Sequence, residues 1–160
     1  MNRRSAATAI VASIVGVAAS AGLSRSAPPE SDGVVSVRSA YRFEETIERL
    51  KADISMKKIM LFDVIDQAKL ASAAGIELRP STLLVFGNPP LGVQFLTANP
   101  AAGLDWPVRL LVTEDARCGV SLMYTDFAWI ARRHGIEDRA AAFEMASKVI
   151  ASIASSVASK

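Results

Sequence analysis

A single cysteine, Cys118, denies this chain an internal disulfide, and a single histidine, His134, denies it a Cys/His cluster for zinc or an iron–sulfur centre. With no C-x-x-C pair either, neither a metal nor a cofactor is expected, and the fold has to rest on its core. Any Ser-His-Asp or Cys-His arrangement would need His134, whose place before Gly135 at the end of a helical pattern better suits a cation on the helix dipole. Cys118 reads as a strand-end residue with only Arg117 nearby to favour a thiolate. Asp63, Asp66 and Glu77 lack the ligand spacing of a calcium loop.

A surplus of positive charge is missing too, once its source is traced. Lys plus Arg number 18 against 16 Asp plus Glu, and two of the cations, Arg3 and Arg4, precede an apolar run over residues 6–19 and then Ala19-Ser20-Ala21. That is the pattern of a signal peptide with an A-x-A cleavage site. Ser13, Gly16 and Ser20 break the run, which falls short of the ~20 apolar residues of a spanning helix. The adjacent arginines also suit twin-arginine export, though the residues after Arg4 fit that motif poorly. The expectation is a leader over residues 1–21, a disordered Pro28/Pro29-bearing linker over 22–33, and a single domain over 34–160, periplasmic or secreted, with no stable membrane span after cleavage. Without the leader the charges balance at 16 each, and the cations form only pairs such as Lys57-Lys58 and Arg132-Arg133. Phosphate-backbone binding then lacks its driving force, which excludes nucleic acid as a main partner.

What the chain has in quantity is apolar sequence, 51% of the residues, enough for one sizeable core. Val34, Val35 and Val37 suggest a strand, and Phe43, Ile47, Leu50 and Ile54 the apolar stripe of a helix. Residues 59–65 read as a buried strand, followed by a short alanine-rich helix ending at Gly75. Residues 82–86 form a second buried strand, then Asn88, Pro89 and Pro90 open a helix. Residues 108–113 and 120–124 make a hairpin, Asp126 caps a helix, and Phe143, Ala146, Ile150, Ile153 and Val157 stripe the last one. The order β-α-β-α-β-α-β-β-α-α implies an α+β fold with helices layered on one mixed β-sheet.

The segments Ile65-Asp66-Gln67, Gly75-Ile76-Glu77-Leu78-Arg79-Pro80, Phe86-Gly87-Asn88-Pro89, Trp106-Pro107 and Tyr124-Thr125-Asp126 resemble the Domain of Unknown Function 302 family over residues 43–135. The resemblance implies a compact α+β domain, widespread in bacteria and archaea, with no established reaction. Where the family commonly shows I-D-H, this chain has Gln67, and where a lysine and G-T often follow F-G-N-P, it has Pro90, Gly92 and Val93. By that comparison an imidazole, a cation and a hydroxyl are missing here.

Two strands end in a polar residue that opens a helix, Asp66 and Asn88. If the strands are parallel neighbours, two helix N-termini converge into an anion-favouring mouth, with Gln67 beside it, Gly87 allowing close approach and Arg79 or Arg109 supplying charge. The plainer reading makes Asp66 and Asn88 caps only. Three functions follow: a non-catalytic binding or sensing domain for a small polar or anionic ligand at this mouth; an enzyme with Asp66 as general base; or a self-associating structural or stress-related envelope protein, a homodimer through the last helix among its forms.

Overall fold

The computed structural model describes residues 32–158; the leader and most of the linker read from the sequence lie outside the described residues. Strand β1 (Val34–Arg38) is followed by α1 (Phe43–Met56), β2 (Met60–Asp66), α2 (Gln67–Ala73), β3 (Ser81–Gly87) and α3 (Pro89–Ala98). A 3-10 turn (Pro100–Leu104) leads to β4 (Val108–Glu114), β5 (Val120–Thr125), α4 (Phe127–Arg133) and α5 (Ala140–Ser155). This is an α+β fold built on one five-stranded sheet of order β1-β5-β4-β3-β2.

Every pairing in that sheet is antiparallel, which corrects the expectation of a mixed sheet. The β2-α2-β3 segment was open to a parallel crossover, since the connection over residues 67–80 is long enough for one, but a crossover also has to pack its helix across the sheet to carry the chain back. Here α2 has seven residues, contributes no buried side chain, and turns the chain back on itself after Gly75 at φ +72°. The register pairs Asp66 with Thr82 and Met60 with Gly87.

Alternate residues of the inner strands, Leu84, Phe86, Leu110, Val112, Val120 and Leu122, face the helices and join one core with Phe43, Leu50 and Ile54 of α1 and Phe95 of α3. The α5 stripe, Phe143, Ala146, Ile150 and Ile153, is buried in the same core, so it covers the sheet and is spent there. The opposite face carries a cross-strand row, Ile65, Leu83, Leu111 and Met123, all half-buried.

Strand β2 differs from its sequence reading. The dense apolar run reads as buried, yet β2 is one of the sheet's two edge strands, with Met60, Phe62 and Val64 exposed, Phe62 at 42%. A run of apolar residues on both faces signals burial only if a neighbour lies on each side, and the sheet ends here. A bulge between Leu61 and Asp63 interrupts the ladder, as edge strands commonly have.

Candidate functional site

The antiparallel register removes the proposed convergence of helix N-termini. Asp66 and Asn88 follow the ends of neighbouring strands that run in opposite directions, so about 20 Å of strand separates them. The donors are also missing or used. Pro89 and Pro90 occupy the first turn of α3 and have no N–H, while the amides of Leu91 and Gly92 donate to Asn88 O at 3.0 and 2.9 Å. At α2, Asp66 Oδ1 accepts from the Lys69 amide at 2.8 Å, the ordinary duty of a cap.

The remaining candidates fall into separate places. Gln67 Oε1 accepts from Ser81 Oγ at 2.7 Å, tying α2 to the start of β3. Arg79 is exposed in the loop before β3, at the Asp66 end. Arg109 donates from Nη2 to Leu104 O at 2.6 Å and lies 3.3 Å from Asp105 Oδ1, beside a void of about 10 Å³. Gly87 and Asn88 stay together, and they border something the sequence did not announce.

That feature is a cavity of about 410 Å³ between the ends of β3 and β4, helix α3 and helix α5. Its volume is that of a site for a small organic ligand. Phe86, Phe95, Trp106, Phe127 and Val108 form its inner wall, and Ala146, Val149 and Ile150 of α5 close the other side. The aromatic floor is held by Phe95 stacked on the buried Phe143 at a centroid distance of 4.2 Å, with Phe127 tilted against both. Trp106 forms its wall only because Gly87 and Gly92 lie beneath it. A Cβ on Gly92 would fall 1.9 Å from Trp106 Cε2, and one on Gly87 would fall 3.1 Å from Nε1.

Apart from the Trp106 indole N–H, the polar side chains lining it are at exposed positions: Asn88, Ser152, Lys57 after α1, and Lys148 on α5. The Asn88 side chain makes no cap hydrogen bond, since Pro89 and Pro90 have no N–H to donate and the Leu91 amide donates to the Asn88 carbonyl instead. Lys57 Nζ is 2.5 Å from Asp53 Oδ2, and Lys148 Nζ is 2.6 Å from Glu144 Oε1. The hydrogen bond from Lys148, and then its charge, hold the Glu144 carboxyl below its usual range. Neither carboxylate borders the cavity, and among the described residues no Asp, Glu, His or Cys does.

A second polar cluster lies apart from the cavity. Asp105, with a side chain 4% exposed, accepts at Oδ2 from Arg133 Nη1 at 3.0 Å and lies 2.7 Å from His134 Nε2. His134, 6% exposed, follows α4, and its carbonyl accepts from Asn99 Nδ2 at 2.9 Å. The histidine read as a dipole-stabilised cation thus has a buried carboxylate partner, and the pair locks the 3-10 turn to α4. Among the described residues no group of three or more His, Cys, Asp or Glu side chains is placed to hold a metal ion, and no helix is long and apolar enough to cross a membrane.

The profile of the family described as "Domain of unknown function DUF302" matches residues 35–153. This chain belongs to the DUF302 family. A crystal structure of an uncharacterized conserved DUF302 protein from Bacillus stearothermophilus superposes with a TM-score of 0.72 at 16% identity, covering 79% of this chain and 99% of that one. That likeness shows the shared fold. Curated relatives named fluoride-specific ion channel FluC 1, from Brucella suis and Brucella abortus, are 38% identical over 104 residues. The match covers 65% of this chain but only 41% and 38% of those relatives, so the chain spans about two fifths of their length. Within this DUF302 chain, the position where the resemblance implies a histidine is Gln67, at the far end of β2 from the cavity.

Sequence reading missed the cavity because its walls come from five separated segments, and each apolar residue reads as ordinary core. One usable signal was present: Gly87 and Gly92, five residues apart, with Trp106 following, a small-residue surface awaiting a large ring.

Proposed function

We propose that this DUF302 chain is a non-catalytic binding or sensing domain whose ligand occupies the cavity beside Gly87 and Asn88. The observation that carries this is an open, aromatic-walled space of about 410 Å³ inside an otherwise packed core. Binding without turnover fits the border, since among the described residues no carboxylate, histidine or cysteine lines it. Asp66 as a general base has no such space beside it in its support. Export belongs to the same proposal, supported by the Arg3-Arg4 start and the apolar run over residues 6–19. The fluoride channel name belongs to proteins of which the match covers about two fifths, and no ion conduction is proposed here.

The test is titration with a neutral aromatic probe, 2-naphthol, followed by backbone amide NMR. Shifts concentrated at Gly87, Gly92 and Val149, and abolished in Val149→Trp, support the cavity. Shifts clustered at Asp66 and Arg79, or none anywhere, sink it.

A second reading, self-association, is favoured by the half-buried row Ile65, Leu83, Leu111 and Met123 on the sheet face opposite the core. Sedimentation equilibrium of the chain and of Leu111→Lys tests it, because a dimer through this face should dissociate in the variant.

A further inference from the structure

We infer that the cavity is shaped for one chemical class, an amphipathic anion with an apolar body of about a dozen heavy atoms and a single carboxylate-like head. This inference rests on the cavity being a binding site and adds what enters it.

Size comes first. At ~30 Å³ for each small group in close-packed liquid, a space of about 410 Å³ takes roughly fourteen. The inner wall then dictates the body. The buried Phe86, Phe95, Phe127 and Ile150 line it with carbon, and a polar group inserted against them would lose its water without a partner, the Trp106 Nε1–H being the one side-chain donor on the neighbouring wall. Every buried polar side-chain atom among the described residues already has a hydrogen-bond partner, so nothing inside waits for a polar ligand.

Sign is set at the border. The two charged residues lining the cavity are both lysines, and their carboxylate partners stand outside it. The Lys148 and Glu144 side chains are 74% and 67% exposed, and an exposed pair of this kind contributes little, so Lys148 exchanges its partner at small cost. Lys57 is held more tightly, its own side chain 30% and that of Asp53 12% exposed, which fixes one ammonium group, paired with its carboxylate, at the border. Asn88 and Ser152 add donors for the second oxygen of a carboxylate. A cationic head meets two ammonium groups whose carboxylate partners lie outside the lining, and a neutral head gains only the hydrogen bonds.

The experiment is calorimetric titration of the full chain at low salt with three probes of equal chain length: decanoate, 1-decanol and decylammonium. Decanoate should bind at least tenfold more tightly than the alcohol, and decylammonium most weakly. The preference should shrink severalfold in Lys148→Met, survive in Lys148→Arg, and weaken with added salt. Equal binding of acid and alcohol, or a preference for the amine, overturns the anion class while leaving the cavity as a site. Absence of binding by all three overturns the cavity reading itself. Unchanged preference in Lys148→Met and in Lys57→Met, each checked for a native circular dichroism spectrum, overturns the placement of the head. Should Lys57→Met fail to fold because Asp53 loses its partner, Lys148→Met and the salt dependence decide the matter.

Discussion

Gly92 lies so close under the Trp106 indole that a Cβ on it would fall 1.9 Å from Cε2 and 2.0 Å from Nε1. The contact fixes the ring that walls the cavity, and it sets two effects against each other in Gly92→Ala. Alanine is favoured inside a helix by about 1 kcal/mol over glycine. Displacing a packed indole typically costs about 1–3 kcal/mol. The clash should win, lowering stability by up to about 2 kcal/mol in urea unfolding and shifting Trp106 fluorescence. Gly103→Ala, whose Cβ would meet Leu96 at an ordinary 3.9 Å, should be near neutral.

Asp105 holds the 3-10 turn to α4 through His134 and Arg133. Removing one member of a buried charged cluster costs about 3–5 kcal/mol, reduced where the others reach water, as Arg133 and Arg109 do here. Asp105→Ala should therefore lose about 2–3 kcal/mol in urea unfolding, and Asp105→Asn less, because the amide oxygen still accepts. A loss below 0.5 kcal/mol would show that the cluster is not a structural lock.

The β4-β5 turn supplies a pH dependence. Asp115 accepts from the Gly119 amide, from Arg38 and from the Arg117 amide, which together lower its carboxyl from the ordinary 3.8 to about 2. The unfolded chain takes up this proton first as the pH falls. The contribution of Asp115 is thus complete above pH 3.8, fades below it, and is gone once the pH passes about 2. Urea midpoints measured from pH 5 to pH 2 should fall less steeply in Asp115→Asn than in the parent; identical slopes would refute the assignment.

Asp66→Ala separates a cap from a site. Loss of the bond to the Lys69 amide should fray α2, at a cost of about 1 kcal/mol or less, since α2 buries no side chain. Hydrogen exchange should quicken in residues 67–73 while affinity for any cavity ligand stays unchanged. A larger change in binding than in stability would restore Asp66 to the site.

Much of the secondary structure was legible in local chemistry. The stripe through Phe43, Leu50 and Ile54, the cap at Asp126 and the left-handed Gly75 act within a few residues, so the sequence displays them directly. Strand direction was not legible, because an apolar run carries no record of which way its neighbour runs. Nor does such a run record its place in the sheet, so β2 read as buried although it lies at an edge, while the unknown direction brought Asp66 and Asn88 together.

The sequence by itself determined the family, the alternation of elements and the balance of charge left once residues 1–21 are set aside. Those properties are sums over residues or patterns within one element. Only the tertiary structure decided that Gly87 and Asn88 face α5 while Asp66 stands at the other end of the sheet, and that Lys57 and Lys148, 91 positions apart, border one cavity. The reason is physical: a cavity is where side chains from distant segments fail to meet, and that gap is written in no single segment.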